Sequence, residues 1–447
     1  ETLRLRNQSS TPQKSLSIIQ LLFHNPLFSD RYFRYNLLMF ATNILAGIFA
    51  YLLHPSLAHI MGIQGYGQVA ALVALSLVLV TPTQIVSTVA AKYASSLSIS
   101  GDYAQLNGFI RRLTGILLAV GVGVTAVFVA ASSYVAFFFH LNSPQSVILL
   151  GIGFIVSFAF PLNQGVLQGL QRFEWFAVVT LLSSLLRLVL VVGFVFMGFG
   201  INGAIFGITI STLLTYLITF QPLWKLLRGP LAHSGSLKSL WSYAILAATT
   251  AGGIVALYSV DTVLAGHFLS TDETGLYGAL ATIGRTVLFV TSSVATVMFP
   301  KVVAFHEQGK PHRRVVVQAV LGTLILSGAV EIVFFLAPSL ITKILFGQAF
   351  IAVAGLLPLY GLAMVLLSVA QVLLMYFLAI GTRIIMLIIL LACLLQTCLI
   401  IWHHTSIAQI VQAVLITDAV LVLALLVTWG MTCYGDILHK TALPLAI

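Results

Sequence analysis

The chain has 447 residues, 60% of them apolar and only 7% charged, with a mean hydropathy of +1.07 and a net charge of +10. A water-soluble domain covers its surface with roughly 25% charged residues, so composition excludes a soluble fold. The basic excess does not mark a nucleic-acid binder either, because the Lys and Arg lie between apolar runs and not in one block or on one face.

The N-terminal arm is polar and basic (Arg4, Arg6, Lys14), and no cleavable leader is expected, since the first apolar span is too long for an h-region. Residues 15–35 mix Ile, Leu and Phe with Arg31 and Arg34 and break at Asn25-Pro26. An interfacial helix and a flexible arm both fit that pattern. Apolar stretches of about 20 residues follow, the length that crosses a hydrocarbon core. They predict an all-α integral membrane protein of about twelve helices, at 36–60, 67–90, 114–137, 146–169, 175–197, 201–221, 240–266, 274–299, 315–337, 351–379, 384–401 and 406–430.

With the N-terminus inside, eighteen of the 21 Lys and Arg fall on the cytoplasmic side. They are the five of the arm, then Lys92, Arg111 and Arg112 in the loop after span two, Arg172, Lys225, Arg228, Lys238, Lys301, Lys310, Arg313, Arg314, Arg383 and Lys440. The outer loops hold only Lys343, and Arg187 and Arg285 fall within spans. This positive-inside asymmetry places both termini in the cytoplasm of a cell whose inner membrane the chain crosses twelve times.

A repeat recurs at an offset of about 210 residues. Leu57-Ala58-His59, followed by Gly65-Tyr66-Gly67, is echoed by Leu264-Ala265-Gly266-His267, followed by Leu276-Tyr277-Gly278. Each time a helix ends, a glycine turn follows and Tyr opens the next helix. Two six-helix lobes around a central cavity are expected: an arm (1–35), an N-lobe (36–224), a linker (225–239) with Gly229-Pro230 and Gly235, a C-lobe (240–435) and a tail (436–447).

Polar residues inside spans are costly and point to a wet passage or a partner. Arg187 and Arg285 both fall near the bilayer midplane, where a guanidinium suits a phosphate-bearing ligand bidentately. Neutralisation by Asp418 or Asp261 is the other reading. Asp261 is also a candidate for ion coupling, with Thr250 and Tyr258 on a similar face at 100° per residue. Asp418 is a second coupling candidate. Gln84, Thr88 and Lys92 recur every four residues in span two, and Gln164, Gln168 and Gln171 lie beside Asn163 in span four. Each stripe, and the isolated Asn43, is expected either to line a hydrated lumen or to join helices, with lining favoured. Pro82 and Pro161 are candidate kinks. Glu331 reaches interfacial water. Cys393, Cys398 and Cys433 read as packed or lipid-facing thiols. No metal-binding spacing and no GxxxxGKS loop appears, so neither catalytic residues nor a metal or cofactor is expected. Coupling to H+ or Na+ stays open.

The chain resembles the lipid-linked oligosaccharide flippases, the polysaccharide-transport branch of the multidrug/oligosaccharidyl-lipid/polysaccharide exporter superfamily. The resemblance lies in Met61-Gly62-Ile63-Gln64-Gly65-Tyr66-Gly67, Leu167-Gln168-Gly169-Leu170-Gln171-Arg172-Phe173, Gly198-Phe199-Gly200-Ile201-Asn202-Gly203, Ser259-Val260-Asp261-Thr262, Thr271-Asp272-Glu273-Thr274-Gly275 and Phe299-Pro300-Lys301. It implies a cavity open alternately to each side, a polyprenyl pyrophosphate glycan as cargo, and glycosyltransferases and a polymerase as pathway partners. Two other functions were weighed. A cation-coupled multidrug antiporter of the same superfamily would favour a carboxylate in span one, where this chain has Asn43. A glycan-processing membrane enzyme would need larger outer loops.

Overall fold

The computed structural model describes residues 30–232 and 238–442. Among the described residues, ten helical segments are long and apolar enough to span a bilayer. Two of them, Leu38–Ser100 and Phe173–Leu227, have 63 and 55 residues. Straight, they would reach about 95 and 80 Å, against a hydrocarbon core of about 30 Å. Each therefore folds back once. The first turns at Gly62, whose φ of 69° and ψ of −171° leave helical geometry, and the second turns through Gly198 (φ 89°) and Gly200 (φ 53°). Twelve crossings result.

Crossings one and two share α1 (Asp30–Val80), after which a short 3-10 turn at Thr81–Thr83 leads into α2 (Gln84–Ser100). Pro82 sits in that turn, where crossing two breaks, whereas Pro161 lies inside an unbroken helix. Crossings three to six are α3 (Tyr103–Ala130), extended by the short α4 (Ser132–Phe138), then α5 (Gln145–Gly169), α6 (Phe173–Phe194) and α7 (Gly200–Leu227). In the second half, crossing seven is broken into α8 (Lys238–Leu257) and α9 (Val260–Phe268), and crossing eight into α10 (Thr271–Gly284) and α11 (Thr286–Glu307). Then come α12 (Arg313–Leu336), the short α13 (Pro338–Phe346), α14 (Leu357–Ala379), α15 (Ile384–Trp402) and α16 (Ile407–Ala442).

The first six crossings pack as one lobe, with α5 between α3 and α7 and α6 against α1. The last six form the other, centred on α14, which packs on α11, α12 and α16 and buries nearly every turn (Tyr360, Met364, Leu367, Ala370, Leu374, Phe377). The outer flanks expose Ile, Leu, Val and Phe (Val127, Val189, Ile325, Leu394, Leu423). Such side chains are unstable in water and matched to lipid.

Helices run past the apolar windows that mark them. Lys92 lies within α2, and Arg111 and Arg112 within α3, so these three belong to helix ends and not to a loop; the turn between them is confined to Gly101 and Asp102. Asp102 caps α3 by accepting a hydrogen bond from the Gln105 amide at 2.9 Å. The start of the expected linker is tied to α3. Asn107 Nδ2 donates to the Gly229 and Pro230 carbonyls at 2.9 and 3.2 Å, and the Ala232 amide donates to Ala104 O at 3.1 Å. Most of the expected interfacial arm, residues 233–237 of the linker and the end of the tail lie outside the described residues.

Candidate transport site

The loop ends of the bundle differ in charge. Arg172, Lys301, Lys310, Arg313, Arg314 and Arg383 mark one end, termed the basic face, and Lys343 stands at the other, the neutral face. The lobes approach most closely on the neutral-face side, while nearer the basic face the Thr81–Thr83 turn and α2 also pack against α8. At the start of crossing two, Gly67 abuts the backbone of Thr274 and Gly275 so closely that a Cβ there would lie 2.5 Å from Gly275 N. Only glycine permits that approach. One residue earlier the Tyr66 hydroxyl, fully buried, shares a hydrogen bond with Thr282 Oγ1 at 2.9 Å. His267 Nδ1 bonds the Phe138 carbonyl at 3.1 Å, with its ring stacked on that of Phe138 at 3.9 Å. These three lobe-to-lobe contacts all lie toward the neutral face.

Toward the basic face α2 carries an exposed polar stripe. Gln84 and Thr88 are exposed at membrane depth, and Lys92 is exposed at the helix end. Hydrocarbon does not solvate amide and hydroxyl groups, so this arrangement suits a hydrated lumen open to the basic face. Asn43 is also exposed, on the helical face that continues through Gly47, Ala50 and His54. In crossing four, Gln168 is exposed and Gln164 partly so, but Asn163 is 1% exposed and donates to Thr219 Oγ1 at 2.7 Å. Asn163 thus joins α5 to α7, and the expectation that it lines the lumen is corrected. Its Cα is one step off the Gln164–Gln168 stripe, about 100° round the helix.

Asp261 anchors the second lobe where both crossings seven and eight are broken. It is completely buried, and every lone pair is engaged. Oδ1 accepts from the Thr262 amide (2.6 Å), Thr262 Oγ1 (3.2 Å) and Arg285 Nη2 (3.1 Å), while Oδ2 accepts from the hydroxyls of Tyr277 (2.7 Å) and Tyr360 (2.8 Å). Arg285 Nη2 also donates to Thr262 Oγ1 of α9 at 2.5 Å. Arg285 is therefore held by a structural partner in this state, as one of the two readings of the sequence anticipated. Tyr258 stands over its guanidinium at 5.6 Å. Thr250 instead bonds its own helix at Leu246 O. Tyr258 and Asp261 thus meet the same guanidinium from either side of the irregular turn at Ser259.

Asp418 behaves differently. It is 1% exposed, and both of its oxygens lack a protein partner. Gln396 on α15 donates Nε2 to Leu257 O at 2.8 Å and leaves Oε1 unpartnered, and Ser259 Oγ is unpartnered as well. Asp418 lies within electrostatic reach of Asp261 and Cys393. Crossings seven, eleven and twelve thus each carry a buried oxygen with nothing to accept from. Orphaned acceptors of this kind are rare in native interiors, and a proton or a small cation satisfies them.

Arg187 completes the inventory. It faces a cavity of about 220 Å³ enclosed by crossings one, two, four, five and six. Its Nε is buried without a hydrogen-bond partner, and among the described residues it makes no ion pair. The pairing with Asp418 that the sequence allowed does not occur. His54 and Tyr66 line the same cavity and share a hydrogen bond at 3.2 Å. Neither residue stands out in the sequence as functional, although the recurrence of Tyr66 as Tyr277 in the repeat is the signal that points to Tyr66.

A family model described as a polysaccharide biosynthesis protein matches residues 105–354. Among solved structures, an inward-facing multidrug resistance MATE family transporter of the MOP superfamily superposes with a TM-score of 0.75 at 13% identity, over 87% of this chain and 94% of that one. The lipid II flippase MurJ, in an inward closed conformation, superposes with a TM-score of 0.64 at 15% identity, over 89% and 87%. A MOP superfamily transporter from Pyrococcus furiosus, described as having a binding pocket of reversed polarity, gives 0.54 at 17% identity, over 90% and 93%. At these identities the likeness establishes the fold. No curated protein matches the chain in sequence.

Proposed function

Since the chain belongs to the polysaccharide biosynthesis protein family, we propose that it carries a lipid-linked glycan precursor from one leaflet to the other by alternating access. The observation that carries this reading is the asymmetry of the two faces. The lobes are sealed by glycine-close packing at Gly67 and Gly275 and by the Tyr66–Thr282 bond, yet expose Gln84, Thr88 and Lys92 to the opposite side. A hydrated, weakly cationic lumen of this kind accepts a sugar pyrophosphate while the polyprenyl tail stays in lipid. The positive-inside pattern makes the basic face cytoplasmic in the cell membrane, so the head group enters from the cytoplasm.

The first lobe also weighs against export of cationic drugs. Between residues 38 and 232 the only carboxylates are Asp102 and Glu174, both at helix starts on the basic face. A cationic drug would find no buried counter-charge there. Energy would enter through Asp418, Gln396 and Ser259, whose orphaned oxygens suit H+ or Na+, with Asp261 and Arg285 holding the broken helices beside them. Enzymes that build and polymerise the glycan are the pathway partners this reading implies.

The test is genetic and chemical. A strain lacking the gene should accumulate lipid-linked oligosaccharide in the cytoplasmic leaflet and lose surface glycan, with both restored by the intact chain and not by the Arg187→Ala/Arg285→Ala variant at equal expression. Surface glycan unchanged in the deletion strain, with no other transporter compensating, would remove the proposal.

A further inference from the structure

Arg187 is a partly buried charge, with its Nε fully buried and unpartnered, that its own lobe does not neutralise. Asp102 and Glu174, the only acids between residues 38 and 232, sit at exposed helix starts on the basic face, far along the chain from the cavity wall. The hydroxyls that line the cavity are committed elsewhere. Ser76 donates to Val73 O (2.7 Å), Ser157 to Gly153 O (2.8 Å) and Thr209 to Leu149 O (3.2 Å). The groups left to meet a ligand in this space are therefore the Arg187 guanidinium and the second ring nitrogen of His54. A partly desolvated guanidinium without a counter-ion favours an anionic ligand.

We propose that this cavity is a binding site for one phosphate-class oxyanion, seated on the Arg187 guanidinium inside the first lobe and apart from the lumen between the lobes. A volume of about 220 Å³ falls below the roughly 300 Å³ at which pockets for drug-sized ligands begin. It admits a small oxyanion. Planar guanidinium donors match two oxygens of such an anion at once.

The same cavity touches the seam. His54 lines it and bonds the Tyr66 hydroxyl, and Tyr66 in turn bonds Thr282 of the second lobe. His54 lies within electrostatic reach of both Arg187 and Arg285. An anion at Arg187 therefore alters the field at the hydrogen-bonded pair that closes the neutral face. A ligand shifts a two-state equilibrium only through different affinities for its states, and the His54–Tyr66–Thr282 chain supplies such a difference.

For the anion's source, this inference rests on the transport reading: the diphosphate of the carried lipid and free phosphate or pyrophosphate share the required chemistry. The experiment uses the full chain in lipid nanodiscs and follows equilibrium binding of radiolabelled inorganic pyrophosphate and, separately, of a polyprenyl pyrophosphate without sugar. Saturable binding of either ligand is expected, weakened about tenfold or more by Arg187→Gln and less by Arg187→Lys. Binding of both ligands would mean that the site reads the diphosphate alone, and binding of the lipid only would assign the cargo head group; both outcomes support the site. Tyr66→Phe should bind the anion as tightly as the natural chain but lose any anion-dependent change in labelling of a cysteine placed at Gln64. Binding of neither ligand, or equal binding by natural chain and a folded Arg187→Gln variant, would overturn the proposal. Arg187-dependent anion binding in a protein that moves no glycan would sink the transport reading and leave this site standing.

Discussion

Arg285 donates to Asp261 at 3.1 Å, joining crossing eight to crossing seven beside the irregular turn at Ser259. A buried carboxylate needs its lone pairs satisfied. Here a carboxylate that also accepts from Tyr277 and Tyr360 ties α9, α10 and α14 into one unit. The guanidinium of the second lobe is a structural strut in this state, and that of the first lobe is the unpaired one.

Removing the acid should therefore damage the fold more than removing both partners. Asp261→Asn leaves Arg285 buried and uncompensated and is expected to destabilise by about 3–5 kcal/mol. The Asp261→Asn/Arg285→Met double variant should recover much of that loss. Thermal unfolding in detergent checks the order. A single variant as stable as the double would contradict the assigned role.

Asp418→Asn should leave stability unchanged or slightly raised, because it replaces a buried acid that has no partner with a neutral amide. Transport by this variant should no longer respond to an imposed proton or sodium gradient. The check is uptake in vesicles with and without each gradient, and a full response in the variant would remove Asp418 from coupling.

Gly67→Ala places a methyl against the Gly275 backbone, where a Cβ meets atoms at 2.5 Å. The neutral face should be forced apart, so a cysteine at Gln64 should be labelled by a membrane-impermeant thiol reagent more readily than in the Gly67 chain. Tyr66→Phe removes one lobe-to-lobe hydrogen bond, worth about 1 kcal/mol, and should produce a weaker shift in the same direction. Identical labelling in all three would place the seam elsewhere.

Cysteines substituted for Gln84 and Thr88 should react with impermeant reagents from the basic face and be protected by bound glycan lipid. Cysteine in place of Asn163, which bonds Thr219 inside the lobe, should not react. Equal reactivity at the three positions would show that exposure at α2 does not report a lumen.

Much of this architecture is legible in the sequence because bilayer thickness imposes a length on every apolar run and loop charge imposes a direction. Helix ends are less legible: hydropathy registers the hydrocarbon core, whereas α2 and α3 continue as helix through Lys92 and Arg111 into polar surroundings. The irregular turn at Ser259 leaves no mark in composition, and whereas Tyr258 meets Arg285 beside Asp261, Thr250 hydrogen-bonds only within its own helix. Asn163 shows the same limit at a finer scale, since adjacent residues on a helix face different neighbours. The pairing of Arg285 was one of two readings available. The solitude of Arg187 needed the tertiary structure, because a missing partner is a property of the whole lobe.

Reconstitution measures the central claim most directly. Vesicles containing the purified chain would be loaded with a fluorescent polyprenyl pyrophosphate oligosaccharide, and the fraction of head groups exposed outside would be followed with an impermeant quencher. The account predicts protein-dependent redistribution of the head group between leaflets, lost in Arg187→Ala and uncoupled from ion gradients in Asp418→Asn. Head groups that stay in their original leaflet, in vesicles whose protein instead moves a lipophilic cation, would contradict it.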